Sequence, residues 1–319
     1  MDEPPIQPVS GTVVPRYAGP STFVRLPDLR DLDRCDVAIL GIPFDSGVSY
    51  RPGARFGPSA IRQASRMLRP QFHPIHQMEP FALLQGADAG DVSCNPFDIM
   101  ESITQIERGA DEVLERSSSL VSIGGDHTVL LPLLRSMHRR HGPVALVHFD
   151  AHLDTWDTYF GAPVTHGTLL RRAAEEGLFR GDASMHVGIR GPLYSSRDMV
   201  DDASFGFRTI RTEEVHREGV EGIVGRIRER VGDHPLYLSI DIDSLDPAHA
   251  PGTGTPEIGG LTSRELLMIL RGLAGLRLVS ADVVEVSPPY DHAELTSLAA
   301  ATVVYELVSL LAGGRAEDV

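Results

Sequence analysis

Short apolar runs alternate along the chain with longer segments whose apolar residues recur every three or four positions. Continuous apolar runs of this length are typical of strands that are buried on both faces of a parallel sheet. The longer segments have the spacing of a helix with one buried face. The predicted strands are residues 35–42, 120–123, 144–149, 185–189, 236–242 and 278–286, and the clearest helical stripes are Ile99, Ile103, Ile106, Ala110, Val113 and Leu114, followed by Val220, Ile223, Val224, Ile227 and Val231.

This alternation predicts the fold class. Parallel neighbouring strands must be joined by crossovers, usually helices that cover the sheet. We therefore expect an α/β fold, a single domain with three layers (α/β/α) around a mostly parallel sheet. The chain has 319 residues, 42% of them hydrophobic, which is enough for a large core. Residues 1–30 hold several prolines and little periodicity, so we predict an irregular amino-terminal arm ahead of one domain formed by residues 31–319.

Local signals mark where several helices begin. Thr262 and Glu265 have the spacing of a capping box, and Asp291 and Glu294 have the same spacing ahead of the last helix. Pro58 suits the first turn of a helix, where its missing N–H costs nothing. These positions predict three helix starts.

Composition and charge exclude several classes of function. A formal net charge of -15 is unsuited to a nucleic-acid backbone. Cys35 and Cys94 are too few to organise the fold through disulfides, and the start M-D-E-P-P-I-Q-P lacks the segments of a signal peptide. Residues 295–312 are strongly apolar, but polar side chains interrupt them, which favours a buried helix over a membrane span. We expect a cytoplasmic protein with no nucleic-acid or membrane partner.

Three short clusters carry side chains that bind metal ions. Residues i, i+2 and i+4 of a strand lie on the same face, so D-x-H-x-D and D-x-D each aim their side chains at one point. Oxygen ligands with two imidazoles and no thiolate favour an ion such as Mn²⁺ over structural zinc. The six candidates are His127 in I-G-G-D-H, Asp150, His152 and Asp154 in D-A-H-L-D, and Asp241 and Asp243 in D-I-D. We interpret them as one site for two divalent cations, with metal-activated hydrolysis as the expected chemistry.

All three clusters lie at the carboxyl ends of predicted strands. Open α/β sheets bind ligands in the crevice outside those ends, so clusters that are distant in sequence can converge there. Aspartates at strand ends are also common turn formers. Turn formation explains one aspartate at a time, however, and not the repeated i, i+2 spacing on separate strands.

These motifs resemble those of the ureohydrolases, the family of arginases, agmatinases and related amidinohydrolases, which cleave a guanidino group to urea and an amine. The resemblance covers nearly the whole chain, is strongest to the agmatinase-like branch, and implies an arginase-like fold. The matching segments are R-P-G-A-R-F-G-P-S-A-I-R at 51–62, G-A-D-A-G-D at 86–91, I-G-G-D-H at 123–127, V-H-F-D-A-H-L-D-T at 147–155, T-H-G-T at 165–168, S-I-D-I-D-S-L-D-P-A-H-A-P-G at 239–252 and E-V-S-P-P-Y-D at 285–291.

The family pattern implies a role for each candidate residue. His166 in T-H-G-T resembles the family's active-site histidine, a proton shuttle whose ordinary pKa is near about 6.5. Glu285 resembles the carboxylate that pairs with the substrate guanidinium, whose planar donor fork suits a carboxylate. The resemblance also implies two Mn²⁺ per subunit: Asp150 and Asp241 would bridge the ions, His127 and Asp154 would complete one shell, and His152 and Asp243 would complete the other.

Residues 160–166 bear on the choice of substrate. Their sequence F-G-A-P-V-T-H replaces the polar S-G-N segment with which arginases recognise an α-amino acid, so arginine would be badly compensated. Agmatine, hydrolysed to putrescine, is the leading expectation. Guanidinobutyrate, or a bulkier guanidino metabolite as for proclavaminate amidinohydrolase, is the alternative, because Val164 and Leu169 stand where several agmatinase-like sequences have tyrosine and proline. Trp156 is expected to form a pocket wall or to anchor its loop, and His249 to shape its turn rather than line the pocket.

Other functional classes and roles stay open at this stage. A non-catalytic metal-binding relative, or a dinuclear phosphoesterase or deacylase, would use a similar ligand set. Family members are commonly trimers or hexamers, so the resemblance implies a homo-oligomer that binds a small guanidino substrate. His148 and His186 lie in apolar strands and are predicted to be packed core imidazoles, and Arg190 is predicted to bind backbone or carboxylates.

Overall fold

One parallel sheet forms the centre of the structure, a computed structural model in which residues 4–317 are described. Its strand order is β2-β1-β3-β8-β7-β4-β5-β6, and every neighbouring pair is parallel. This confirms the predicted α/β class. The strands are β1 (Cys35–Gly41), β2 (Gly86–Asp91), β3 (Ser117–Ile123), β4 (Ala145–Phe149), β5 (Met185–Ile189), β6 (Arg208–Arg211), β7 (Leu236–Asp241) and β8 (Leu278–Val284).

Helices cover both faces of the sheet. Two apolar clusters form the core, one packing α1, α7, α8 and α9 against the strands and the other packing α3, α4 and α5. The result is the expected three-layer α/β/α domain. The helices are α1 (Gly57–Ser65), α2 (Pro80–Leu83), α3 (Ile99–Leu114), α4 (Leu130–His141), α5 (Leu169–Glu175), α6 (Asp198–Ser204), α7 (Thr212–Val231), α8 (Ser263–Gly272) and α9 (Leu295–Glu317).

Six strands follow the predicted apolar runs, whereas β2 and β6 do not. Both lie at the edges of the sheet, where one side of the strand has no neighbour. Their sequences, G-A-D-A-G-D and R-T-I-R, contain few apolar residues because an edge strand is not buried on all sides. An apolar-run criterion therefore finds the six inner strands only.

The predicted helix starts are only partly correct. In α8 the Thr262 hydroxyl accepts the Glu265 amide at 3.1 Å and the Glu265 carboxylate accepts the Thr262 amide at 2.8 Å, which is the predicted capping box. The box between Asp291 and Glu294 is wrong. Asp291 instead accepts the amides of Thr296 and Ser297, both at 2.9 Å, because Glu294 adopts a φ of 60° just outside α9.

Helix α9 is long and apolar enough to cross a membrane by length and composition. Of its most apolar window, Leu295–Gly314, 78% is buried inside the protein. Thr296, Ser297, Glu306 and Ser309 are buried there as well, and each makes a hydrogen bond. The helix is therefore a central core element, as the polar interruptions predicted.

Residues 4–22 contain no helix or strand. The segment then anchors on the body at Phe23, whose amide donates to Asp88 at 2.7 Å, and at Val24, whose amide donates to Ser65 at 2.8 Å. Both apolar side chains are buried in the main core. The end of the arm thus packs on the domain that follows it.

Candidate metal centre and substrate cleft

Four adjacent inner strands position the candidate site. In the order β3-β8-β7-β4, their carboxyl ends lead into His127, Glu285, Asp241 and Asp150. The loop that carries His127 also packs closely on the loop after β1, because a Cβ at Gly125 would collide with the carbonyl of Phe44. The sheet order thus brings together segments that are distant in sequence.

His127 is the centre of one ligand set. Its Nδ1 lies 3.1 Å from Asp150 Oδ2, 3.2 Å from Asp154 Oδ2 and 3.2 Å from Asp241 Oδ2. All four side chains are buried. These distances give one compact group of three carboxylate oxygens around a single imidazole nitrogen.

His152 is the centre of the second set. Its Nδ1 lies 3.1 Å from Asp243 Oδ2 and 3.3 Å from Asp150 Oδ1. Asp150 therefore places one oxygen in each set, which is the geometry of a bridging carboxylate. The six residues predicted from D-x-H-x-D, D-x-D and His127 all meet at this place.

Neighbouring groups fix which nitrogen of each imidazole is free. His127 Nε2 lies 2.9 Å from the hydroxyl of Ser239, which itself donates to Asp282 at 2.8 Å. His127 Nε2 must then be protonated, so Nδ1 is the nitrogen that can offer a lone pair to a cation, which would displace the proton that the carboxylates otherwise favour there. His152 Nε2 faces the Glu257 carboxylate at 3.5 Å, so Nδ1 is again the nitrogen that faces the aspartates. Such outer partners orient metal-binding histidines in proteins generally.

The two ligand sets fit metal ions. His127 Nδ1 and Asp150 Oδ2 are buried, and neither has a hydrogen bond although they are 3.1 Å apart, because the atoms are not aligned with each other. Atoms that approach one common point without bonding to one another are arranged as ligands are. Four buried carboxylates face the imidazoles of His127, His152 and His148, and burial lowers the pKa of His148 to about 4, so the negative charge is in excess and calls for cations.

The same charge imbalance shifts the pKa values of the cluster. Burial and the neighbouring carboxylates raise the pKa of Asp154 to about 6 and raise the pKa of Asp241 well above its ordinary value. Burial alone would lower the pKa of His127, but its three carboxylate neighbours raise it well above the ordinary value. Protons therefore compete with cations for this site in acid.

A buried line of polar side chains lies behind Asp150. His148 Nε2 lies 3.0 Å from Asp150 Oδ2, and His148 Nδ1 lies 2.8 Å from His186 Nδ1. His186 Nε2 is 3.0 Å from Asp202, which accepts the Thr155 hydroxyl at 3.0 Å. The two histidines are buried, as predicted, but they link polar groups and are not merely packed. The i, i+2 relation of His148 to Asp150 was a sequence signal, whereas His186 has no such relation and meets His148 through the pairing of β4 with β5.

Arg190 supports the cluster from another side. Its guanidinium donates to the carbonyls of Asp243 at 2.7 Å, Glu257 at 2.7 Å and Leu245 at 3.2 Å. The prediction that it binds backbone is confirmed. It fixes the path of the chain that carries Asp243.

His166 and Glu285 lie together beside the ligand sets. His166 Nδ1 is 3.0 Å from Glu285 Oε1, which also accepts the backbone amide of His127 at 2.9 Å. Glu285 Oε2 is buried and has no hydrogen-bond partner. His166 Nε2 lies 2.8 Å from the hydroxyl of Ser49. Burial lowers the pKa of His166, but Glu285 and nearby aspartates outweigh it and raise the pKa to about 9.

An open cleft of about 450 Å³ leads from this site to the surface. Trp156 lines it and also donates its indole N–H to Asp198 at 3.0 Å, so it is both pocket wall and loop anchor. Tyr159 and Tyr194 pack edge-on against Trp156 at 5.8 and 5.5 Å. Arg51 lies at the same cleft with its guanidinium 5.1 Å from the ring of Tyr290.

Three other candidates do not line the cleft. Val164 and Leu169 are buried in an apolar core cluster, so the identity of Val164 does not enlarge the described cavity directly. His249 lies 3.4 Å from Ser263 and borders a separate apolar groove near α8 and α9. The role of His249 in its turn is thus favoured over contact with substrate.

Comparisons with known proteins agree with this geometry. A family model described as "Arginase family" matches residues 35–309. The chain is 44% identical to a guanidinobutyrase of Pseudomonas aeruginosa, with 98% of this chain and 99% of that protein covered. It is similar to the solved structure of proclavaminate amidinohydrolase from Streptomyces clavuligerus, with a TM-score of 0.90, 42% identity and coverage of 94% and 99%. It is also similar to a structure from Burkholderia thailandensis described as a hypothetical agmatinase, with a TM-score of 0.87, 39% identity and coverage of 95% and 93%.

Proposed function

This chain belongs to the arginase family and is an amidinohydrolase acting on guanidino compounds; from this premise we propose that it is manganese-dependent and cleaves a small linear guanidine to urea and an amine. The observation that carries the proposal is the unpartnered, buried Oε2 of Glu285 beside His166 and the two ligand sets. A buried carboxylate oxygen without a donor is a site for a cation with N–H groups. A guanidinium provides both the positive charge and the N–H groups.

The ligand sets would hold two Mn²⁺ ions. Oxygen-rich ligands with two imidazoles suit this ion. When bound, the ions would lower the pKa of a shared water and so supply the nucleophile. His127, Asp154, His152 and Asp243 would each hold one ion, and Asp150 and Asp241 would hold both.

Glu285 would bind and orient the substrate. Its Oε1 is fixed by His166 and by the His127 amide, so the free Oε2 has a defined direction. A guanidinium donates through a planar fork of N–H groups, and a fixed carboxylate positions that plane. The substrate carbon is thereby held in one orientation next to the ligand sets, which lowers the entropic cost of reaction.

His166 would move the proton that the leaving amine needs. Glu285 stabilises its protonated form and holds the ring at Nδ1. Its Nε2 faces Ser49, which lines the cleft, so this nitrogen is on the substrate side. General acid catalysis of this kind contributes roughly 10²- to 10⁴-fold to a rate.

Two substrate tails remain to be compared. Agmatine, the sequence-based expectation, ends in an ammonium, whereas 4-guanidinobutyrate ends in a carboxylate. No ion pair to Arg51 is present among the described side chains, and its guanidinium lies at the cleft. A carboxylate tail would pair with Arg51, whereas an ammonium tail would be repelled by Arg51 and attracted to Glu257, which lines the same cleft. Arg51 therefore favours the guanidino acid as second candidate, in line with the guanidinobutyrase relative.

A urea assay with added Mn²⁺ across agmatine, 4-guanidinobutyrate and larger guanidines tests the proposal. If the carboxylate tail is used, Arg51→Gln should lower kcat/KM for 4-guanidinobutyrate by about tenfold or more and spare agmatine. Arg108→Gln, on the exposed face of α3, is the matched control. Turnover of agmatine alone would decide for agmatine. Urea from no guanidine, with cleavage of a phosphate ester or amide, would contradict the proposal.

We also propose that the protein works as a homo-oligomer, a trimer or hexamer. Several large apolar side chains are exposed in the single chain, including Tyr17, Phe97 and Ile258. Light scattering of the purified protein tests the proposal directly, and a monomer at micromolar concentration would contradict it.

A further inference from the structure

The loop between β1 and α1 places Ser49 against the ring of His166. The Ser49 backbone N lies 3.0 Å from His166 Nε2, and its hydroxyl oxygen lies 2.8 Å from the same nitrogen. Backbone contacts hold the loop there. The His166 amide donates to the Gly47 carbonyl at 3.1 Å, and the Gly47 amide donates to Asp126 at 2.7 Å.

These two groups of Ser49 have different consequences for the imidazole. The backbone N–H is a donor only, so it always favours a lone pair on His166 Nε2. An imidazolium would direct a second N–H toward it. The hydroxyl can rotate, and it either donates to a lone pair or accepts from an N–H. Among the described groups bonded to Nε2, the Ser49 hydroxyl is thus the one that accommodates both protonation states.

We propose that Ser49 is a positioning residue for proton transfer by His166. Its hydroxyl accepts a hydrogen bond from Nε2–H while His166 is charged, and it turns to donate a hydrogen bond to Nε2 after that proton has gone to the leaving amine. One N–H bond of the imidazolium breaks and one N–H bond of the amine forms, so the serine carries no charge at any stage. The inference rests on the proposed function, because the amine comes from hydrolysis of the guanidine.

The surroundings of His166 make this acceptor important. Glu285, which follows β8, accepts from the ring at 3.0 Å, and Asp126, which follows β3, and Asp154, which follows β4, attract the charged ring when they are ionised. Together they favour the imidazolium. The Ser49 backbone N–H disfavours the imidazolium, because it points at Nε2. The Ser49 hydroxyl compensates for this by providing an acceptor for Nε2–H at hydrogen-bond distance.

The test is Ser49→Ala, which keeps the amide and removes the hydroxyl. We expect kcat for the best guanidine substrate to fall by about tenfold or more while KM changes little. The alkaline limb of kcat against pH should move down by on the order of one pH unit, since the imidazolium loses its acceptor. Ser49→Thr keeps a hydroxyl and should restore both quantities. Ser46→Ala is the control, because the exposed Ser46 belongs to the same loop but bonds to the Pro96 carbonyl at 2.7 Å.

Several outcomes would overturn the inference. One is a Ser49→Ala variant whose kcat stays within about twofold of wild type and whose alkaline limb of kcat against pH does not move. Another is a Ser49→Ala variant in which only KM changes. A Ser49→Thr variant that behaves like Ser49→Ala would contradict it as well. Manganese content and melting temperature are measured for each variant, so that a folding defect is recognised. An active wild type with an unaffected Ser49→Ala refutes the role of Ser49 alone, whereas a wild type that releases no urea refutes the proposed function too.

Discussion

Among residues 4–317, two buried clusters combine histidines with carboxylates, and one of them has its atoms arranged as metal ligands are. The first is the pair of ligand sets around His127 and His152 at the carboxyl ends of the inner strands. The second, which we call the α9 cluster, consists of His73, His76 and Glu306. Both place three or more such groups close enough for an ion. The two clusters differ in how their side chains are hydrogen-bonded.

In the α9 cluster the ring nitrogens of His73 and the carboxylate of Glu306 all have hydrogen-bond partners. His73 Nδ1 accepts the backbone amides of Ile75 at 3.3 Å and His76 at 3.2 Å, so its proton is on Nε2 and is directed at Glu306, 3.3 Å away. Arg271 donates to the same Glu306 oxygen at 3.0 Å. At the metal centre the outer nitrogen Nε2 of His127 has its own partner, Ser239, so the inner Nδ1 can give up its proton and bind a cation among the carboxylates. The direction of the protonated nitrogen, more than the residue types, distinguishes a metal site from a structural link.

The largest expected effect is at the bridging carboxylate. Asp150→Asn removes the charge that faces both imidazoles, so it should abolish urea release and lower manganese content by at least half, measured by elemental analysis of the dialysed protein. Asp241→Asn should do the same.

His166→Ala is the matched comparison for the bridging variants. His166 contacts Glu285 and Ser49 and none of the six ligands by hydrogen bond, so the variant should lose activity and keep its manganese. An equal collapse of metal content in His166→Ala would show that its assigned role is wrong.

The line behind Asp150 should have the next largest effect. His148→Gln interrupts the contacts with Asp150 and His186, so we expect manganese affinity to weaken by roughly 10- to 100-fold. A competition titration with a chelator measures this without any substrate. The exposed His216→Gln is the control. Unchanged affinity in His148→Gln would mean that Asp150 needs no support from this side.

The α9 cluster should respond in stability and not in metal content. Glu306→Gln leaves Arg271 and His76 without their carboxylate, and we expect a loss of about 2 kcal/mol in the free energy of unfolding. Manganese per folded chain should stay unchanged. Denaturant unfolding and elemental analysis on the same sample test both statements, with the exposed Glu221→Gln as control. Metal loss in Glu306→Gln would remove the distinction drawn between the clusters.

The smallest expected effect is the response of His73 to acid. Burial, which outweighs the attraction of Glu306, lowers the pKa of His73 below its ordinary value of 6.5. Between the lowered pKa and 6.5 the unfolded chain binds more protons than the folded one, so stability should fall as the pH drops below 6.5. His73→Gln should lack this component. We expect the difference between wild type and variant to shrink from pH 7.5 to pH 5.5 in denaturant unfolding, and a constant difference would contradict the sign.

The sequence predicted the inner sheet and the six ligands for the same reason. Buried parallel strands are continuous apolar runs, and the candidate ligands follow the ends of those runs. The predicted reason for their convergence, strand periodicity, is wrong: β4 ends at Phe149, so Asp150 and His152 lie in the loop after it, and Asp243 lies in a 3-10 turn after β7. The order of the strands in the sheet then brings the residues that follow β3, β8, β7 and β4 together. The edge strands β2 and β6 escaped because an exposed edge does not need an apolar sequence.

The supporting groups could not be predicted in this way. Ser239 fixes the tautomer of His127 and Ser49 contacts His166, yet both contacts depend on which ring nitrogen faces which neighbour. Neither serine has a spacing relation to its histidine, since the partners are 112 and 117 positions apart in the chain. The prediction that Val164 affects the substrate pocket was wrong for a different reason. Its position in the motif is next to the cleft, but its side chain points into the apolar core.

Asp154 and Glu285 both adopt left-handed backbone conformations, with φ of 56° and 63°. For a residue with a Cβ, this conformation costs on the order of 1–2 kcal/mol. Glycine would relieve the cost at either position and would delete a catalytic or metal-binding carboxylate at the same time. At 285 this relief would be offset, because the buried His127 amide would lose its acceptor. A random library screened for heat resistance alone should therefore accumulate glycine at 154 sooner than at 285, and those robust survivors should be inert.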